Sequence, residues 1–334
     1  MIQAKTVFVL GAGAHCPYGL PDGVTLKRKI VEMLSDVNNQ NSPFRDCFFH
    51  IYSQKFKSIG SKLMEFKSRL ALTGHKSIDG FLASTAKVGG FPEIGKLAVA
   101  RVLLPREFHT DFSITRQINP NVGDQDWMSF LFSYMLERCE HESLEYFLKK
   151  NNVSFVTFNY DRTLEHFLHV RLVNSFGISP EIAMETIAKF RIIHVYGSLG
   201  KFDSQVLSKS LSRQRQRPGD IGDPFNPSEY KEAAESIRLM YDDRKSDNLI
   251  ADAQTEISAA EIVIFLGFGF DPANIERLEL NKRCENKDVG ATRYRVAEGD
   301  WVRAIQAMYP TRSFHRTERQ WDSLTFLHES SLFR

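Results

Sequence analysis

Short apolar runs and longer, helically spaced stretches alternate along the chain. Val7 to Leu10 is the first run, and Gly11 and Gly13 follow it at once. So short a run, bounded by glycine, predicts a strand buried on both faces of a parallel sheet. The runs at 153–158 (VSFVTF), Arg191 to Val195 and 261–266 (EIVIFL) repeat the pattern, and Thr292 to Ala297 reads as a last strand. In residues 24–36, Leu26, Ile30, Val31 and Leu34 fall on one helical face. Residues 44–72 interleave aromatic and basic side chains. Amphipathic helices with a solvated basic face account for them better than a nucleic-acid surface does. Further helices are expected after Ser77, over 92–106 and 126–150, from Thr163 to Asn174, over 178–190, twice within 228–259, and over 299–308. Residues 201–227, rich in Ser, Arg and Pro, read as a long mobile surface loop. Residues 313–334 read as a polar tail without a core of its own. There is no internal repeat.

This order predicts an α/β fold with a parallel sheet, in which residues 24–150 form a helical insertion. The 334 residues read as one domain, its core drawn from 1–23 and 151–334. Hydrophobic residues make up 42% of the chain and 26 are Phe, enough for a large core. A net charge of +2 offers no general attraction to nucleic acid or to a membrane surface. No apolar run reaches the length of a membrane span, and the N-terminal run is too short for a signal peptide. Cys16, Cys47, Cys139 and Cys284 are too scattered for a zinc site or a disulfide framework. Free thiols in a cytoplasmic protein, with no metal, are therefore expected.

The candidate chemistry sits just after the strands. Gly11-Ala12-Gly13-Ala14-His15 follows the first, with a turn-forming Gly19-Leu20-Pro21-Asp22-Gly23 loop behind it. Glycines there let the chain turn sharply and let a phosphate approach backbone N–H groups. The dehydrogenase fingerprint is incomplete, because Cys16 occupies the third glycine's place and no acidic residue ends a second strand about 20 residues on. Asn159-Tyr160-Asp161 follows the second strand. Asn159 can turn into a ligand crevice; Asp161 either faces the same crevice or caps the next helix. His194, Tyr196, Gly197 and Ser198 follow the third strand, His194 and Tyr196 being expected on one face by strand geometry. Gly267-Phe268-Gly269 follows the fourth.

Taken together these strings resemble the sirtuin-like superfamily. The opening resembles its Gly-Ala-Gly-Ala-Ser motif, with His15 in the serine's place, and Gly19 to Asp22 its Gly-Ile-Pro-Asp loop. Thr157 to Asp161 resembles Thr-Gln-Asn-Ile-Asp. His194 to Leu199 resembles His-Gly-Ser-Leu, with the histidine set back and Tyr196 before the glycine. Ser77 to Leu82 resembles the bacterial defence-associated branch. The four cysteines of a zinc ribbon are missing. The resemblance implies a Rossmann-like core that binds NAD as substrate. Asn159, His194 and Asp161 would be catalytic. Gly11, Ala12, Gly13, Ala14, His15, Pro21, Asp22, Tyr196, Gly197, Ser198, Gly267, Phe268 and Gly269 would bind the nucleotide. It implies an NAD glycohydrolase that acts in antiphage defence, as a homo-oligomer or with a HerA-type ring ATPase. Protein deacylation, ADP-ribosyl transfer and a non-catalytic nucleotide-binding subunit are the alternatives. In the hydrolase reading Asn159 positions the ribose or the attacking water and His194 accepts a proton.

Overall fold

The computed structural model describes residues 1–37, 39, 42–55, 59–109, 125–139, 142–203, 226–239, 246–315, 317–330 and 332. Six parallel strands form one sheet: β1 (Thr6–Leu10), β2 (Val153–Thr157), β3 (Ile192–His194), β4 (Ile262–Leu266), β5 (Asp288–Ala291) and β6 (Ser313–Phe314). Their spatial order, β3-β2-β1-β4-β5-β6, is that of a doubly wound Rossmann-like sheet, flanked by helices. β1 lies at the centre, every residue buried, with Phe8 level with Phe155 on one side and Ile264 on the other.

Strand alternation divides the core in two. Val7, Val9, Val156, Val263 and Phe265 face one layer; Phe8, Leu10, Phe155, Ile264 and Leu266 face the other. The insertion is divided as well. α1 (Gly23–Met33), α2 (Pro43–Tyr52), α3 (Ile59–Leu72), α4 (Ile78–Ser84) and α5 (Phe91–His109) cover the first face. α6 (Trp127–Leu136) and α7 (Leu144–Lys150) cover the second, beside α8 (Thr163–Phe176) and α9 (Pro180–Ile187). Short polar residues start these helices: Asp22, Ser42, Ser77, Asp126, Ser143 and Ser179 each accept a hydrogen bond from a first-turn N–H. The insertion's phenylalanines mostly face inward. Phe44, Phe48, Phe66, Phe81, Phe91, Phe132 and Phe147 are buried, while Phe49 is exposed.

On the first face α10 (Pro227–Ser236), α11 (Ser246–Ala259), α12 (Pro272–Arg277), α13 (Leu280–Arg283) and α14 (Glu298–Met308) complete the layer. The C-terminal part departs from expectation. The fifth strand is 288–291 rather than 292–297, and the expected polar tail supplies β6 and a packed helix, α15 (Ser323–Glu329). The two differences share a cause. A Cβ on Gly290 would lie 2.6 Å from Leu332 and 2.7 Å from Phe326, so Gly290 in β5 makes room for the tail. Phe326, Leu327 and Leu332 are buried there. Most of the loop expected over 201–227 lies outside the described residues. Among the described residues, no helix is long and apolar enough to cross a membrane.

Two contacts tie the insertion to the turn after β2. Arg162 and Glu107, 3% and 4% exposed, form a buried two-pronged ion pair: Nε donates to Oε1 at 3.0 Å and a terminal nitrogen to Oε2 at 2.6 Å. The Arg162 backbone N–H donates to the same carboxylate. The guanidinium also donates to Lys201 O at 2.8 Å, which holds the turn after β3. Tyr160 donates its hydroxyl hydrogen to Asp79, in the first turn of α4. Removing one member of a buried pair strands the other. Glu107→Ala is expected to lower the unfolding free energy by about 3–5 kcal/mol, read by urea denaturation followed by circular dichroism. A loss within experimental error would show that this pair does not hold the insertion.

Candidate active site

The turns after β1 and β4 meet backbone to backbone. Gly11 N–H donates to Leu266 O at 3.0 Å and Gly13 N–H to Gly267 O at 3.1 Å. A Cβ on Gly11 would lie 2.5 Å from Gly267 O. One on Gly267, whose φ is +56°, would lie 1.9 Å from Ala14 N. These glycines are therefore required by the contact between the two turns. The Ala14 N–H also has an internal acceptor, Gly11 O at 3.0 Å. Three of the N–H groups expected to cradle a phosphate are thus already engaged. Gly269 differs: it is exposed, with open space where a Cβ would be. Thr292, just past β5, accepts from Gly267 N–H at 2.8 Å and pins the β4 turn.

Residues 12–18 form a tight helical turn that carries His15 inward. The ring is buried, and its Nδ1 lies 2.7 Å from Asp161 Oδ1. Asp161 also accepts from Thr163 N–H at 3.2 Å. Burial alone would raise the Asp161 carboxyl; the His15 ring and Thr163 outweigh it and hold the carboxyl below its ordinary value. Asn159 reaches from β2 toward β1 and donates through Nδ2 to Gly11 O at 3.2 Å. Among the described residues, His15 Nε2 and Asn159 Oδ1 are buried without a hydrogen-bond partner, as is the nearby Thr163 Oγ1. The first turn of α6 braces this region, with Trp127 Nε1 donating to Ala14 O at 2.7 Å and Tyr18 donating to Asp126 at 2.9 Å.

His194 is wired differently. Nδ1 is 2.8 Å from Asn159 O and Nε2 is 2.7 Å from Glu165 Oε1, so both ring nitrogens face acceptors. Burial alone would lower its pKa; the Glu165 charge and hydrogen bond outweigh that and hold the ring above its ordinary value. A ring that donates from both nitrogens has no lone pair for a further proton. His194 and Tyr196 also part company. β3 ends at His194 and the chain then turns, so the expected strand spacing does not hold. Tyr196 packs edge-on against Phe158 and donates to Asn274 Oδ1 at 2.6 Å. Burial pushes its phenol well above the ordinary value.

The remaining predicted residues have local partners. Asp22 caps α1, accepting from Thr25 N–H at 2.7 Å, and Pro21 is buried in front of it. Ser198 donates to Gly200 O at 2.8 Å. Gly197, with φ +69°, lies where a Cβ would meet Ser236 O at 2.2 Å. Phe268 packs among Phe158, Phe265 and Phe270. Ala12 is half-buried in the β1 turn. A cavity of about 870 Å³ runs along the outer edge of β3, lined by His194, Ser198, Lys201, Lys96, Arg238 and Asp252 among others.

Sequence reading missed Glu165 and Arg295. Glu165 had a signal: it is a lone acid in a stretch of α8 that is buried from Thr163 to His169. Arg295, in the loop after β5, lies within electrostatic reach of Cys16 in the β1 turn. Its position in the sequence gave no sign of that. Cys16 is exposed, and Cys47, Cys139 and Cys284 are buried free thiols. Among the described residues no group of three or more His, Cys, Asp and Glu is placed to hold a metal ion. No protein-family model matches the chain, and no curated protein matches it at a significant level.

The His194–Glu165 pair gives stability a defined pH dependence. The folded-state pKa of the ring is raised, so its contribution is full below about pH 6.5, the ordinary imidazole value, and is lost as pH rises through the folded value. Glu165→Gln is therefore expected to cost more stability at about pH 6 than at about pH 9, measured by denaturant titration at the two values. An equal cost at both would show that the ring is neutral throughout.

Proposed function

We propose that this protein is an NAD glycohydrolase, releasing nicotinamide and ADP-ribose. The observation that carries the reading is the unpartnered Asn159 side-chain oxygen, buried at the carboxyl end of β2 beside the β1 turn. In an open parallel sheet the ligand crevice lies outside the carboxyl ends of the strands, where the order reverses. Here the reversal falls between β1 and β4. Leaving a buried amide oxygen unmatched costs about 1–3 kcal/mol, and a ribose hydroxyl or a water molecule would match it. The nicotinamide–ribose bond breaks through an oxocarbenium-like centre, and an amide oxygen held close stabilises its positive charge. With the glycine N–H groups engaged, the pyrophosphate would be met by Arg295 and by the exposed backbone at Gly269.

An NAD-consuming enzyme must be restrained in its host. The proposal extends to regulation through a homo-oligomer or a HerA-type ring ATPase, in a defence system against phage. Because the insertion's phenylalanines mostly pack inward, the contact surface would be formed by its outer polar faces and by exposed residues such as Phe49.

Asn159→Ala is expected to keep the wild-type circular dichroism spectrum and to lose NAD cleavage by about 10²-fold or more, measured as free nicotinamide by chromatography. Near-normal turnover would remove Asn159 from the mechanism. At micromolar concentration the protein is expected to scatter light as an oligomer and to change its activity when the ATPase is added. A monomer with full activity at high dilution would exclude this regulation.

A further inference from the structure

The geometry of the site distinguishes its two histidines, of which the sequence resemblance makes His194 catalytic and His15 nucleotide-binding. His15 has a carboxylate on Nδ1 and nothing on Nε2. His194 has an acceptor on each nitrogen. We propose that His15, oriented by Asp161, is the proton acceptor of the reaction, and that His194 is a positioning residue. This assignment rests on the NAD hydrolase reading.

The tautomer follows from the partners. Asp161 is ionised, so Nδ1 must carry the hydrogen that it donates, and Nε2 then holds a lone pair. Asn159 is fixed in the same way: Gly11 O accepts from Nδ2, which leaves Oδ1 as the outward atom. The two unpartnered atoms are therefore both acceptors. Both residues are tied to the β1 turn. Asn159 spans from β2 to the β1 turn at Gly11, His15 lies four residues beyond Gly11, and Asp161 lies two beyond Asn159. Two acceptors tied to one turn call for a molecule that can donate two hydrogen bonds. A water molecule, or a pair of adjacent ribose hydroxyls, meets that requirement; an ionised carboxylate, which has no donor, does not.

The charges facing His15 favour this role. Asp161 lies against Nδ1. On the ring's own turn is Tyr18, edge-on with centroids 6.4 Å apart, its hydroxyl bound to Asp126 at the start of α6. Behind Asp161 are His194 and Glu165, whose opposite charges offset one another at long range. None of these groups supplies a hydrogen-bond partner to Nε2.

In the step proposed, the water oxygen bonds to the ribose C1′ as the C1′–N1 bond breaks. The bonding pair passes to N1, and the pyridinium becomes neutral nicotinamide. One water proton goes to His15 Nε2 and from there to solvent. Asp161 balances the imidazolium formed in between. NAD and water thus become nicotinamide, ADP-ribose and one proton. His194, through Asn159 O and Glu165, sets the path of the β2 turn that carries both Asn159 and Asp161.

The test compares wild type, His15→Ala, Asp161→Asn and Asn159→Ala in NAD cleavage, alongside ADP-ribose binding by calorimetry. His15→Ala is expected to lose about 10²–10⁴-fold in kcat, to bind ADP-ribose within about threefold of wild type, and to recover part of its rate in added imidazole. Imidazole should do nothing for Asn159→Ala. Asp161→Asn is isosteric and covers the case in which His15→Ala does not fold; it should lower kcat with little change in KM. In nitrogen-15 spectra of histidine-labelled protein, His15 should carry its fixed hydrogen on Nδ1, and His194 should be protonated on both nitrogens at about pH 6. Near-normal kcat for His15→Ala beside an active wild type overturns the assignment, as does a His15 ring protonated on Nε2. A wild type that releases no nicotinamide, alone or with the ATPase, overturns the hydrolase reading itself and the assignment with it.

Discussion

The direct contact between the turns after β1 and β4 governs the rest of the site. Both strands are buried on both faces, so their ends cannot move apart without disturbing the core. Gly11, Gly13 and Gly267 bring the backbones within hydrogen-bonding distance, and any side chain there would collide. The chain leaving β1 must then tighten into the turn at 12–18, which carries His15 beneath the surface. The glycines set the position of a side chain, and in doing so they use up the N–H groups that a glycine-rich turn more often leaves for phosphate.

The second strand end is held from outside the sheet. Arg162 gathers the end of α5, its own backbone and the turn after β3 around one guanidinium. Tyr160 does the same toward α4 through Asp79. Charges this deeply buried are costly unless fully paired, and their geometry is correspondingly well defined. Asn159 and Asp161 lie on either side of Tyr160, on a segment with little freedom to drift. The helical insertion thereby frames the candidate site as well as covering the sheet.

Two buried histidine–carboxylate pairs flank the β2 turn with opposite wiring. In one, a carboxylate faces one ring nitrogen and the other nitrogen has no partner; in the other, a carboxylate and a carbonyl face both nitrogens and favour the charged ring. The same two residue types are therefore held in two different hydrogen-bonding states. The difference comes from a single extra acceptor, the backbone oxygen of Asn159.

Much of the fold was legible in the sequence. The apolar runs at β1, β2 and β4 are continuous and bounded by glycine or polar residues, which leaves little choice but buried parallel strands. Ser77 and the other caps mark helix starts for local reasons. β5 was not legible, because Gly290 leaves room for Phe326 and Leu332, which lie far along the chain. The helix carrying Phe326 was missed for the same reason: its apolar face has meaning only against β5. At the site, the sequence by itself placed Asn159, Asp161, His15 and His194 at strand ends. Only the tertiary structure decided which histidine keeps a free nitrogen. Protonation state depends on what lies within 3 Å of each nitrogen, and Asp161 and Glu165 reach their rings from separate stretches of chain.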